Sequence, residues 1–286
     1  MLVLAGCGLH EDHTLTHDGL DRIYRVHLRE EGVPADLPVV LYLHGGGGNR
    51  KTAASDGLDA YAEELGFLLV APQSLSTEGG LGNGNRWNGG SWEGGTCCGE
   101  ADDVGFIARV IDDVVERYQA DASRVYVTGI SNGGLMTNRV GCELSEEIAA
   151  IATVAPAALL TDCVPTAELP VLDIHGTEDP CNLYDGSQPT NSCADSGYVR
   201  MGPEEIVDAW SEINDCSDTP VVTEVGTLTT SDYDCARGEL RFIGVEEMGH
   251  TWPDGAQYLP AGVVGPVSTD ISTGDIWSFF ADHSRL

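Results

Sequence analysis

Arg124-Val-Tyr-Val-Thr-Gly-Ile-Ser-Asn-Gly-Gly-Leu-Met136 passes from a β-branched and aromatic run straight into a Gly-x-Ser-x-Gly turn made by Gly129, Ser131 and Gly133. The run predicts a strand over 125–128, and the residues from about Asn132 predict a helix. A chain that reverses so sharply from strand to helix needs small residues two positions either side of the apex, and it leaves the apical hydroxyl projecting from the turn. Ser131 is therefore the candidate nucleophile. The motif is short and glycine is abundant, with 36 in 286 residues, so the elements around it must carry the reading.

Those elements alternate. Upstream, a continuous apolar run over 37–43 predicts a fully buried strand. It ends in His44-Gly-Gly-Gly-Gly-Asn49, where bare backbone can approach a ligand. Apolar residues at helical spacing over 53–65 predict a helix stopped by Gly66, and 67–71 predicts the next buried strand. Residues 73–99 form a long loop rich in glycine, asparagine and serine, and the tryptophans and cysteines in it argue for order. Acids in the first turn and 3.6-residue apolar periodicity make 102–118 a crossover helix. Downstream, 149–155, 171–174, 221–230 and 239–246 predict strands, while 203–214 and 273–283 predict helices. Near the start, 14–28 reads as two short strands around the turn-favouring pair Asp18-Gly19, an antiparallel hairpin. Strands alternating with helices mean an α/β fold with a mostly parallel sheet and helices on both faces. Neither a repeat nor a linker interrupts 14–286, which reads as one domain after an N-terminal segment, 1–13.

Forty-six acidic residues against fourteen basic ones give a formal charge of -32. That balance argues against nucleic acid and anionic membrane surfaces as partners, and it keeps a chain soluble in salty surroundings. Nine cysteines are too many for a typical cytosolic enzyme, and no Cys-x-x-Cys pair with a matching partner suggests zinc. Cys7 follows Leu4-Ala5-Gly6, a lipobox-like sequence that makes it a candidate lipidation site, with the signal truncated upstream. The remaining eight fit an oxidising, extracytoplasmic compartment. Consecutive pairing joins Cys97 to Cys98, Cys142 to Cys163, Cys181 to Cys193 and Cys216 to Cys235, the vicinal first pair being the least secure.

A serine hydroxyl is a poor nucleophile at neutral pH, so Ser131 needs a base and the base needs an orienting acid. On a strand-turn-helix nucleophile of this kind the chain order is serine, acid, histidine. Beyond Ser131 stand His175, closing a buried strand, His283, in the terminal helix, and His250, on the loop Met248-Gly-His-Thr-Trp-Pro253. His250 is the candidate base. The strand over 171–174 runs into His175-Gly-Thr-Glu-Asp-Pro180, which offers Asp179 as the acid, with Glu178 and Asp173 as rivals. Two donors must stabilise the anionic tetrahedral intermediate. The Asn132 amide supplies one and the Gly46 amide, in the glycine run, the other. Trp252, two residues past His250, is expected to touch substrate. Trp87 and Trp92 serve either as an aromatic platform for substrate or as a small core pinning their loop.

Six blocks, Leu43-His-Gly-Gly-Gly-Gly-Asn49, Cys97-Cys-Gly-Glu-Ala-Asp-Asp-Val-Gly-Phe106, Gly129-Ile-Ser-Asn-Gly-Gly-Leu-Met136, His175-Gly-Thr-Glu-Asp179, Gly249-His-Thr-Trp-Pro253 and Ile276-Trp-Ser-Phe-Phe280, resemble the secreted esterase family of poly(3-hydroxybutyrate) depolymerases, feruloyl esterases and acetylxylan esterases. The resemblance covers nearly the whole chain. It implies an α/β-hydrolase fold and a serine carboxylesterase with Ser131, Asp179 and His250 as the triad, needing no metal or organic cofactor. The expected partner is an ester, with plant cell-wall esters first and aliphatic or aromatic polyesters as the alternative. After Asp179 the chain departs from the family pattern, carrying Pro180-Cys-Asn-Leu-Tyr184 and an added Cys193, which alters the adjoining rim.

Overall fold

A computed structural model describes residues 9–29, 32–76, 84–92, 95–191, 193 and 198–285. Cys7 and its lipobox lie outside the described residues. In chain order the elements are β1 (Leu9–His17), β2 (Leu20–Leu28), β3 (Val39–Leu43), α1 (Thr52–Ser55), α2 (Leu58–Leu65), β4 (Leu68–Pro72), β5 (Gly90–Trp92), β6 (Gly95–Cys97) and α3 (Asp103–Tyr118). There follow β7 (Val125–Ile130), α4 (Asn132–Glu143), β8 (Ala150–Val154), β9 (Val171–Gly176), α5 (Pro203–Ile213), β10 (Val221–Val225), β11 (Leu228–Tyr233), β12 (Leu240–Val245), α6 (Ala261–Val264) and α7 (Thr273–Ala281).

One ten-stranded sheet runs in the order β1-β2-β4-β3-β7-β8-β9-β12-β11-β10. From β4 through β12 every neighbouring pair is parallel, and an antiparallel pair closes each edge. This is the mostly parallel α/β sheet that the alternating elements predict, in the α/β-hydrolase arrangement that the family resemblance implies. Side chains along a strand point to opposite faces in turn, so β3 feeds two cores. Val39, Leu41 and Leu43 enter the core packed by α3, α4 and α5, while Val40 and Tyr42 enter the core packed by α2 and α7. Both faces are covered, which is why the central strands are buried along their whole length.

The crossover helix α3 forms as its sequence dictates. Asp102 caps it, its carboxylate accepting from the Gly105 amide at 2.9 Å. Phe106, Ile107, Val110, Ile111 and Val114 line its buried face. Asp103, in the first turn, is buried and accepts from the Arg22 guanidinium at 2.6 Å and from the Asn88 amide at 2.7 Å. One carboxylate thus ties the hairpin β1-β2 and the long loop to the start of α3.

Three expectations are corrected. The segment read as one helix over 53–65 is two, α1 and α2, because Gly57 adopts φ 81° between them. The segment read as one strand over 221–230 is the hairpin β10-β11, turning through Gly226-Thr227, a glycine-first two-residue loop that matches strand twist. The first strand begins at Leu9, so the hairpin reaches into the stretch assigned to the N-terminal segment. Within the long loop, β5 and β6 form a small sheet of their own. All four consecutive cysteine pairs are bridged.

Candidate active site

Ser131 stands at the apex between β7 and α4 with φ 59° and ψ -119°, a conformation that side-chain-bearing residues rarely adopt. The turn can close only because its flanks are glycines. A Cβ on Gly129 would lie 2.6 Å from the carbonyl oxygens of Gly133 and Leu43, and one on Gly133 would lie 2.6 Å from that of His44. The Ser131 amide donates to Val154 on the neighbouring strand at 2.9 Å, and its carbonyl starts the helical ladder by accepting from Leu135 at 2.9 Å. The close-packed glycine flanks and these two backbone hydrogen bonds hold the strained residue in place.

The carboxyl ends of the parallel strands bring the other groups to the same end of the sheet. Asp179 follows β9 and His250 follows β12, its neighbour in the sheet. His250 Nδ1 lies 2.7 Å from Asp179 Oδ2, and the carboxylate's other oxygen accepts from the amides of Cys181 at 2.7 Å and Asn182 at 2.8 Å. Burial pushes the Asp179 carboxyl up, but the charge and hydrogen bond of His250, then His175 and the Asn182 amide, outweigh it and leave the group below the usual carboxylate range. An ionised carboxylate only accepts, so the proton between the two residues sits on Nδ1 and the lone pair of His250 is on Nε2. Of the rivals, Glu178 is exposed, and Asp173 is buried inside β9, where burial pushes it up to about 7. His175 is fully buried beneath the acid, 3.6 Å from Asp179 Oδ2 and 2.7 Å from the Asn182 carbonyl; His283 faces Glu239.

Two loops frame Ser131. In the glycine run, the amides of Gly47 and Gly48 donate to Asn85 and Gly45 at 2.8 and 3.0 Å. Gly46 passes beside Asn132, near enough that a Cβ on it would meet the Asn132 Cβ at 3.8 Å. His44 anchors this run. Its Nδ1 lies 2.8 Å from the Gly45 carbonyl and its Nε2 accepts from the Ser74 amide at 3.3 Å, while burial pulls the imidazole down to about 4 and so keeps it neutral. The Asn132 side chain is a clamp that sequence reasoning missed, because only its backbone was considered. It accepts from the Trp87 amide at 2.8 Å and donates to the Trp87 carbonyl at 3.1 Å, beside the Cys97 and Cys98 sulfurs.

The tryptophans fall on the structural side. Trp87 is fully buried, its indole donating to the His44 carbonyl at 3.0 Å. Trp92 packs with Cys97, Leu135 and Ala158 in a satellite core and donates to the Val199 carbonyl. Trp252, expected to touch substrate, is 1 % exposed. Its ring meets Tyr42 edge-on at 5.0 Å and its N–H donates to Thr273 at 2.9 Å, so it braces the His250 loop from behind. Arg200 was also missed: buried, it donates to the Asn182 side chain at 2.7 Å and so steadies the turn that carries the acid. A lone arginine without a motif gives no sequence signal of that role.

No protein-family model matches the chain. It is 30 % identical over 283 residues to the protein named "Putative esterase NocK" of Nocardia uniformis subsp. tsuyamanensis, covering 90 % of this chain and 78 % of that one. It is 30 % identical over 165 residues to feruloyl esterase B of Piromyces equi, covering 56 % of this chain and 31 % of that one. With poly(3-hydroxyalkanoate) depolymerase C of Paucimonas lemoignei it shares 24 % identity, covering 78 % of this chain and 56 % of that one. It therefore spans less than two thirds of the latter two proteins. Among solved structures, the acetyl xylan esterase from Aspergillus awamori superposes with a TM-score of 0.65 over 95 % of this chain and 99 % of that one, at 16 % identity, a likeness of fold.

Proposed function

We propose that this chain, which belongs to the esterase family of feruloyl esterases, acetylxylan esterases and polyhydroxyalkanoate depolymerases and is a carboxylic-ester hydrolase, works through an acyl-enzyme on Ser131 and acts on plant cell-wall esters. The observation that carries the mechanism is the Asp179 to His250 hydrogen bond, because it fixes the tautomer that leaves Nε2 free to take a proton. His250 would remove the Ser131 proton as Oγ attacks the ester carbonyl, then return it to the departing alcohol. Water would repeat the cycle on the acyl-enzyme and release the acid. The amides of Gly46 and Asn132 would hold the anionic oxygen, the second at the amino end of α4, where the helix dipole favours negative charge.

Feruloyl and acetylxylan esterases among the relatives support the cell-wall reading, and the depolymerase match over 78 % of this chain supports a polyester as the second. Four disulfides support an oxidising, extracytoplasmic setting, and Leu4-Ala5-Gly6-Cys7 supports a lipid anchor there. Among the described residues no helix is long and apolar enough to cross a membrane. The test compares methyl ferulate, acetylated xylan and a polyhydroxybutyrate film with the parent and Ser131→Ala. Turnover of the first two, lost in the variant, is expected. Faster release from the film would move the assignment to polyesters, and equal rates from parent and variant would remove Ser131 from the chemistry.

A further inference from the structure

On the face of the β1-β2 hairpin that meets α2, three side chains from distant parts of the sequence converge. His10 and His27 are direct cross-strand partners, their rings edge-on with centroids 5.4 Å apart. Asp59 comes from the first turn of α2. Its Oδ2 lies 3.3 Å from His10 Nε2 and 3.8 Å from His27 Nδ1, and the three ligand atoms fall within 4.8 Å of one another. Three buried atoms of the residues around this point have no hydrogen-bond partner, His27 Nδ1, Asp59 Oδ1 and Arg50 Nε, although the His27 side chain is only 3 % exposed. A buried imidazole nitrogen and carboxylate oxygen left unpaired are costly, so something else should satisfy them. The residues border a cavity of about 10 Å³, lined also by Ala53, Leu69 and Ala71. That is room for one small ion or water.

We propose that His10, His27 and Asp59 bind a divalent transition metal, zinc by the chemistry of the donors, which fastens the hairpin to α2. Two imidazole nitrogens and a carboxylate oxygen form a common zinc donor set, with water completing the tetrahedron. Ligands about 2.0–2.1 Å from the metal stand about 3.3–3.4 Å apart in a tetrahedron, so the 3.3 Å separation already fits, the 3.8 Å one needs a slight closing, and the two imidazole nitrogens, within 4.8 Å of each other, close by side-chain rotation. The outer contacts match as well. His27 Nε2 lies 3.0 Å from Glu63 Oε1, the carboxylate partner that orients a ligating imidazole and turns its other nitrogen to the metal. The two guanidiniums that border the cavity, Arg25 and Arg50, are both held by Asp12, at 2.7 and 2.8 Å. No cysteine motif announces the site, because its ligands are scattered along the chain.

The full chain, stripped with a chelator and dialysed, is titrated with zinc chloride by calorimetry, with bound metal counted by elemental analysis. One equivalent, a thermal midpoint raised by zinc, and at least a tenfold weaker affinity in His10→Ala and in Asp59→Asn are expected. His17→Ala, in the more exposed group His17, Asp18 and Asp102, should bind as the parent does. Circular dichroism and hydrolysis of p-nitrophenyl acetate establish that each variant is folded. Absence of saturable uptake, uptake unchanged in His10→Ala and Asp59→Asn, or uptake lost only in His17→Ala would overturn the proposal and leave His10 and Asp59 as an ordinary ion pair.

Discussion

Replacing Asp179 by asparagine should disable the enzyme through a tautomer rather than through collapse. Asp179 Oδ1 accepts from two amides, at 2.7 and 2.8 Å, and Oδ2 faces His250 Nδ1 at 2.7 Å. An asparagine can keep the two amide bonds only by placing its oxygen at the Oδ1 position. Its NH2 then faces His250 and donates, so Nδ1 must accept and the proton moves to Nε2. The nitrogen meant to take the Ser131 proton no longer has a lone pair. Inverting the tautomer of a triad histidine in this way costs about 10⁴-fold in kcat, or roughly 5.5 kcal/mol of transition-state stabilisation. The assay is kcat and KM on p-nitrophenyl acetate, with KM expected to change little because the carboxylate is buried behind the imidazole. Glu178→Gln, an exposed neighbour, should stay within a few-fold of the parent. A folded Asp179→Asn that loses less than tenfold, or a Glu178→Gln that loses as much, would refute the reasoning.

Asp173 should make stability fall with rising pH. Burial lifts its carboxyl from 3.8 to about 7, so between about pH 4 and 7 the native chain keeps a proton that the unfolded chain has released, and stability declines through that window and levels off above it. The effect is at most about 4 kcal/mol, so Asp173→Asn should raise the melting temperature by several degrees at pH 8 and hardly at all at pH 4.5; an equal change at both would contradict this. Asp56, buried against Tyr42 and likewise pushed up to about 7 by burial, should keep part of the slope in that variant. The Cys181 to Cys193 bridge closes a loop of sequence separation 12 beside the acid, so the double change to serine should cost roughly 3 kcal/mol of stability. A chemical denaturation midpoint equal to that of the parent would count against it.

What could be read from the sequence depended on how local its cause was. The sharp turn at Ser131 was legible because steric closure around it demands glycine at 129 and 133 themselves. The meeting of Asp179 with His250 was legible from chain order, since parallel strands deliver their following loops to one end of the sheet. Helix α3 announced itself through its cap, its charge and its periodicity. Trp252 was misread because a ring two residues past the base in a Gly- and Pro-bounded loop looks solvent-facing, whereas the fold inserts it between Tyr42 and Thr273, residues remote in sequence. The same reason hid Arg200, the Asn132 clamp and the meeting of His10 with Asp59. Each is a contact between distant segments that no local pattern encodes. The hairpin β10-β11 was hidden differently: its two-residue turn interrupts the strand pattern too briefly to read as a break.

The central claim is that the Ser131 hydroxyl forms the covalent intermediate. It is tested most directly by treating the parent with a fluorophosphonate ester and locating the adduct by peptide mass spectrometry. The account predicts one phosphonyl group per chain, on Ser131, and almost none in His250→Ala treated for the same time at the same concentration, because that variant lacks the base. A stoichiometric adduct on another residue, or an active enzyme that takes up no label, would contradict it.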